Sequence, residues 1–166
     1  SALCECADVR NMREVVLDEC ENSAGDETDG RTLESLMAER LDLPMRDVRE
    51  KTEGYVSNER IEGVMSGGQS VLLVGDLTTD GGSKMAFVDA IRETGATCNA
   101  TAVIFFYGIF EGVEQTLADH GIQLLHLCTW WDVLEEAKTS ESFDAVTLAE
   151  VEAYLRDPAG WSAAHA

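Results

Sequence analysis

Residues 71–84 read VLLVGDLTTDGGSK: four apolar residues, a lone acid, then hydroxyls and glycines that open into a helical pattern. A short, unbroken apolar run bounded by turn residues is the signature of a strand buried on both faces. The same grammar recurs downstream. Residues 100–107 (ATAVIFFY) and 122–127 are further apolar strands. Helical periodicity marks residues 82–94, 113–120, 131–138 and 147–156. Apolar strands alternating with amphipathic helices predict a mostly parallel central sheet with helices on both faces, a three-layer α/β fold.

The first half of the chain is more polar. Residues 2–15 carry a weak helical pattern, residues 16–23 (VLDECENS) read as a short polar strand, and residues 24–30 (AGDETDG) as a turn. Leu33, Leu36, Met37 and Leu41 fall on one helical face, Pro44 ends that helix, and residues 45–49 form another strand. Residues 50–63, EKTEGYVSNERIEG, are polar and glycine-punctuated, the composition of a long mobile lid. With 166 residues, a single domain spanning 1–166 is expected.

Charge narrows the function. The sequence holds 32 acids against 12 bases, a formal net charge of −20. Phosphate backbones need clustered Lys and Arg, so nucleic acid is excluded as a partner, and anionic membranes with it. No stretch is apolar for long enough to span a bilayer, and the N-terminus lacks the pattern of a secretory leader. The five cysteines include no C-x-x-C pair. An odd set without that spacing fits buried thiols in a reducing cytoplasm better than a disulfide framework or a zinc site.

Where a strand of an open parallel sheet runs into a helix, ligands bind beyond its carboxyl end. Thr78, Thr79, Asp80, Gly81, Gly82 and Ser83 supply approachable amides, hydroxyls and a helix N-terminus, the parts of a phosphate cradle. Asp76, at the strand end, can accept hydrogen bonds from the vicinal hydroxyls of a sugar. Together these describe a ribose-phosphate site. Neither the lysine-bearing P-loop nor G-x-G-x-x-G is present. The structural alternative is an ordinary strand-turn-helix in which Asp80 caps the helix and the glycines form the turn. His120 suits a helix C-terminus, Trp130 and Trp131 suit packing between the last strand and its helix, and Glu135 and Glu136 suit a solvated helix face.

The stretch 71–84 resembles the phosphoribosyl-diphosphate (PRPP) motif of type I phosphoribosyltransferases. NERIEG (58–63), RETGAT (92–97), LPMRDVREK (43–51), the AG-x-ET-x-G pattern of 24–30 and CTWWDVLEEA extend the likeness, making the chain similar to bacterial orotate phosphoribosyltransferase. The resemblance implies the Rossmann-like type I fold and a Mg2+-dependent transfer of ribose 5-phosphate from PRPP to orotate, giving orotidine 5′-monophosphate and diphosphate. It implies that Thr78, Thr79, Asp80, Gly81, Gly82 and Ser83 hold the 5-phosphate end and that Asp76 holds the ribose. Gly25, Asp26 and Thr28 would face the diphosphate and its magnesium, which PRPP itself carries, with no direct protein ligand. Arg49 and Lys51 would join Asp76 in catalysis as the lid closes, and Thr79 and Tyr107 would meet the orotate. A homodimer is implied as well.

The chain departs from that pattern at several ligand-facing positions. Gly75 stands where the motif has a second acid, Glu50 and Glu53 stand where the lid has lysines, and Asp26 and Asp29 replace small residues. Tyr107 occupies a place where many members have a base-recognising arginine. The N-terminal hood of the family is expected to be absent. A second expectation follows: a relative, or an engineered acidic chain, that keeps the fold and weak phosphate binding but is catalytically impaired.

Overall fold

The computed structural model describes residues 14–19, 36, 38–40, 42–49, 65, 67–140 and 142–165. Five strands make one sheet: β1 (Glu14–Glu19), β2 (Met45–Arg49), β3 (Ser70–Thr78), β4 (Thr97–Phe106) and β5 (Gln123–Thr129). Their order is β2-β1-β3-β4-β5, and every neighbouring pair is parallel. This is a doubly wound arrangement, and its switch point, where ligands collect in such sheets, lies between β1 and β3.

Burial follows from the apolar runs. Val71, Leu72, Leu73 and Val74 are all essentially inaccessible, so β3 is covered on both faces. Val71, Leu73 and Val103 join Phe87, Val88 and Ile91 of α1 (Gly82–Glu93) and Leu117 of α2 (Val113–Asp119) in the main core cluster. Leu72, Val74, Ala100 and Ala102 alternate with those strand positions and are equally buried outside that cluster.

β3 continues four residues past VLLV. Gly75, Leu77 and Thr78 keep their register with Val103, Phe105 and Phe106, so ladder pairing carries the strand through two positions whose side chains favour a turn. α1 starts after Gly81, which sits at φ 78°, a left-handed conformation that glycine adopts without the steric cost of a Cβ. A Cβ there would also press on the Leu117 side chain at 3.2 Å. Arg92, in the last turn of α1, donates to the carbonyls of Cys98, His120 and Gly121, tying the helix end to β4 and to the turn before β5.

The C-terminal layer is α3 (Trp130–Thr139), α4 (Ala145–Arg156) and α5 (Pro158–Ala164). Thr129 and Asp132 form a reciprocal capping box on α3, and Asp144 caps α4 by accepting from the amides of Val146 and Thr147. Glu152 of α4 binds Lys138 of α3 at 2.8 Å and Arg156 at 2.6 Å.

Three sequence expectations need amendment. α5 follows the last helix read from the sequence, where no element was expected: Asp157 caps it and Pro158 takes its first position, a combination that presets helical φ and satisfies an amide. Leu36 is half exposed, while Ala38, off the expected apolar face, is buried. β1 begins at Glu14, two residues before the expected strand. The helix expected over 2–15 is overturned at its end, where Glu14 and Val15 pair as strand in β1; residues 2–13, the turn at 24–30 and the lid at 50–63 lie outside the described residues. So do Gly25, Asp26, Thr28 and Lys51, and Arg49 is described only as a strand backbone position.

Candidate functional site

The carboxyl end of β3 delivers Asp76, Leu77 and Thr78 to the β3–α1 turn. Asp76 is exposed, and its Oδ1 accepts from the amide of Leu77 at 2.6 Å. Thr78 is buried, and its carbonyl accepts from the amide of Tyr107 at 3.0 Å. That bond fastens the end of β4 to the end of β3 and brings Tyr107 alongside the turn. Thr79 and Ser83 are partly accessible, and Gly82 is exposed.

Asp80 is exposed and its Oδ1 accepts from the amide of Gly82 at 2.9 Å. The capping position itself falls on Gly81, which makes no side-chain cap. The carboxylate of Asp80 therefore engages an amide at the start of α1, one of the donors that a helix N-terminus presents to anions. It holds the turn in shape and competes with an incoming anion for that amide.

A cavity of about 520 Å³ opens beside the turn, lined by Thr79, Asp80, Tyr107, Phe110, Glu111, Val113 and Thr116. It joins the β3–α1 turn to the β4–α2 loop, so Thr79 and Tyr107, singled out from the sequence for one ligand, line one space. Phe110, Glu111, Val113 and Thr116 were not singled out. A signal was there: an aromatic and an acid between Gly108 and Gly112, in a loop at the carboxyl end of a buried strand.

Tyr107 is braced. Its ring meets Phe105 edge-on at 5.9 Å and Trp130 edge-on at 6.0 Å, and those two rings meet each other at 5.2 Å. Gly108, at φ 63°, turns the chain sharply after it, and the Gly108 carbonyl accepts from the indole of Trp131 at 2.9 Å. Both tryptophans thus pack between β5, α3 and the β4–α2 loop, in line with the sequence reading. His120 closes α2 and pairs with Asp89 of α1 at 2.8 Å, away from the cavity lining. Glu135 and Glu136 are exposed.

Among the described residues, no group of three or more His, Cys, Asp or Glu is gathered to hold a metal ion. Asp76 is a single exposed carboxylate at that strand end, so a hard cation there would take most of its oxygen ligands from a bound molecule and water. Cys98 is buried and burial raises its thiol pKa to about 11, so it stays protonated and inert. Cys98 and Cys128 are both free thiols.

No protein-family model matches the chain. It is 57% identical over 165 residues to the orotate phosphoribosyltransferase of a Ruegeria species, covering 99% of this chain and 73% of that protein. It is 60% identical over 150 residues to the orotate phosphoribosyltransferase of Cereibacter sphaeroides, covering 90% of this chain and 65% of that protein. Among solved structures, the orotate phosphoribosyltransferase of Aeropyrum pernix matches with a TM-score of 0.64 and 26% identity over 80% of this chain and 69% of that one. The three-layer parallel sheet is accordingly the type I phosphoribosyltransferase fold, and the chain belongs to the orotate phosphoribosyltransferase family.

Proposed function

We propose that the chain transfers ribose 5-phosphate from PRPP to orotate, giving orotidine 5′-monophosphate and diphosphate. The observation that carries this reading is the β3–α1 junction. An exposed carboxylate, Asp76, stands a few residues before a hydroxyl- and glycine-rich turn at a helix N-terminus, beside a cavity that Thr79 and Tyr107 line together. Family membership gives that junction its substrate.

In this reading Thr79, Asp80, Gly81, Gly82 and Ser83 receive the 5-phosphate, and Asp76 accepts from the ribose hydroxyls. Thr78, buried at the strand end, supports the turn from beneath. Gly25, Asp26 and Thr28 face the diphosphate, and Thr79 and Tyr107 meet the base. Magnesium bound together with PRPP would supply positive charge to the diphosphate. As the base nitrogen attacks the anomeric carbon, the bond to diphosphate breaks and the leaving group takes the electron pair. Arg49 and Lys51 neutralise the charge that develops there. Stabilisation of such charge is worth about 3–4 kcal/mol per preorganised contact. Two copies of the chain associate as a homodimer, acting on soluble substrates in the cytoplasm.

Calorimetry of the chain with PRPP and Mg2+ tests the binding half. Heat is expected from the parent chain, and at least a tenfold weaker affinity from Asp76→Asn. No heat at millimolar PRPP would overturn the reading.

A further inference from the structure

The β4–α2 loop leaves the sheet at Tyr107, whose amide donates to the Thr78 carbonyl, and regular structure resumes at Val113, the first residue of α2. Between them, Phe110 and Glu111 line the cavity beside the β3–α1 turn. Among the described residues, the hydrogen bond that ties 108–111 to another element comes from the C-terminal layer: the indole of Trp131 donates to the Gly108 carbonyl at 2.9 Å. We propose that Trp131 is a positioning residue. It holds the loop at Gly108, so that helices which do not line the cavity set how tightly the site grips its product. The proposal rests on the transferase reading.

Three observations point this way. First, the bond falls where the loop turns. Gly108 takes φ 63° and Gly112 φ 77°, left-handed conformations that turn the chain sharply on either side of Ile109, Phe110 and Glu111. A carbonyl fixed at the first of these turns fixes the direction in which the cavity-lining residues leave the strand. Second, Trp131 is itself held. It lies in the first turn of α3, whose start is fixed by the reciprocal box of Thr129 and Asp132, and the Arg156 guanidinium of α4 stands 5.7 Å from its ring centroid. Arg156 is in turn paired with Glu152 at 2.6 Å. A donor secured from two helices keeps its direction, and the loop follows it. Third, the contact is specific to the indole. Packing between strand, helix and loop needs only a flat apolar ring, which phenylalanine would supply. Tryptophan adds one N–H that can only donate, and here it is aimed at the carbonyl just ahead of the lining residues.

Trp131→Phe in the full chain tests the role, with Trp161→Phe as its control. Trp161 also belongs to the C-terminal helices, but its indole donates to Glu150 of α4 at 2.7 Å rather than to the loop. Loss of one hydrogen bond corresponds to roughly a two- to tenfold change in affinity. The expected result for Trp131→Phe is a loss of that size for orotidine 5′-monophosphate and an unchanged affinity for PRPP with Mg2+. Amide hydrogen exchange at residues 109–112 of the free chain should quicken, and the unfolding midpoint should stay within about 4 °C of the parent's. Trp161→Phe should leave both affinities and the loop exchange at the parent's values. Parent-like loop exchange or parent-like orotidine 5′-monophosphate affinity in Trp131→Phe would overturn the positioning role and leave the transferase reading intact. Equal losses for the two ligands, or equal losses in the two variants, would overturn it as well, because a general loosening would then account for them. A parent chain that binds neither PRPP nor orotidine 5′-monophosphate would overturn the transferase reading and the proposal with it.

Discussion

The centre of the sheet and the C-terminal helices are held together by different forces. Around β3 and α1, Val71, Leu73, Phe87, Val88 and Ile91 are fully inaccessible and interlock with Leu117. In α3 to α5 only Leu134 and Leu155 are buried, and neither is fully inaccessible. There, capping carboxylates and the Lys138–Glu152–Arg156 cluster supply the contacts, most of them exposed. The candidate site grows from the first region, so its turn stands on apolar packing that salt and pH leave alone. The second region depends on charges in water, which both conditions weaken.

Core truncation should separate the two most strongly. Phe87→Ala is expected to lower unfolding free energy by about 3–5 kcal/mol in a denaturant titration, because it leaves a cavity under β3. A loss below 1 kcal/mol would mean that the core is not where stability resides. Leu155→Ala should cost about 2–3 kcal/mol, the lower part of the range for a buried leucine, since few other buried residues surround it. Hydrogen exchange should report its effect in α4 and α5 before β3; uniform loss of protection would erase the distinction between the regions.

A polar flaw inside the core gives an effect of opposite sign. The hydroxyl of Thr101 is wholly buried in β4 and has no hydrogen-bond partner among the described residues. Thr101→Val keeps the shape and removes the unpaired group, so it should stabilise by about 1 kcal/mol in thermal unfolding. Destabilisation would show that the hydroxyl is satisfied.

The smallest effect concerns acid. The Thr129 hydroxyl and amide hold the Asp132 carboxyl below its ordinary range. The Thr147 amide and hydroxyl do the same for Asp144, and Lys138 and Arg156 for Glu152. A depressed folded-state pKa adds stability above the unfolded value, near 4, and that stability is lost as pH falls through the folded value. The C-terminal helices should therefore loosen on acidification while the β3–α1 core persists, as circular dichroism at neutral and acid pH would register. Asp144→Asn keeps a capping side chain and should flatten part of that dependence. An unchanged acid profile in the variant would remove Asp144 from the account.

Legibility in the sequence follows the same division. Strands β3, β4 and β5 and helices α1 to α4 were readable because continuous apolar runs and helical spacing are what a buried parallel sheet imposes. The site turn was readable for a related reason: glycines and hydroxyls after such a strand leave few other shapes. The extension of β3 through Gly75 and Asp76 was not, because it comes from pairing with β4, a contact distant in sequence. α5 was missed although Asp157 and Pro158 announce it, since the alanines, glycine and serine that follow carry no apolar period. Phe110 was missed because an exposed aromatic in a loop gains meaning only when it is seen to line one cavity with Thr79 and Tyr107. The roles of Gly75, Glu50 and Glu53 remain tied to the reaction itself.

That reaction can be measured directly. Orotate, PRPP and Mg2+ incubated with the chain should yield orotidine 5′-monophosphate and diphosphate in equal amounts. The rate should fall by at least tenfold in Asp76→Asn, while the variant keeps the parent's unfolding midpoint. A well-folded parent chain that binds PRPP yet forms no orotidine 5′-monophosphate would contradict the account.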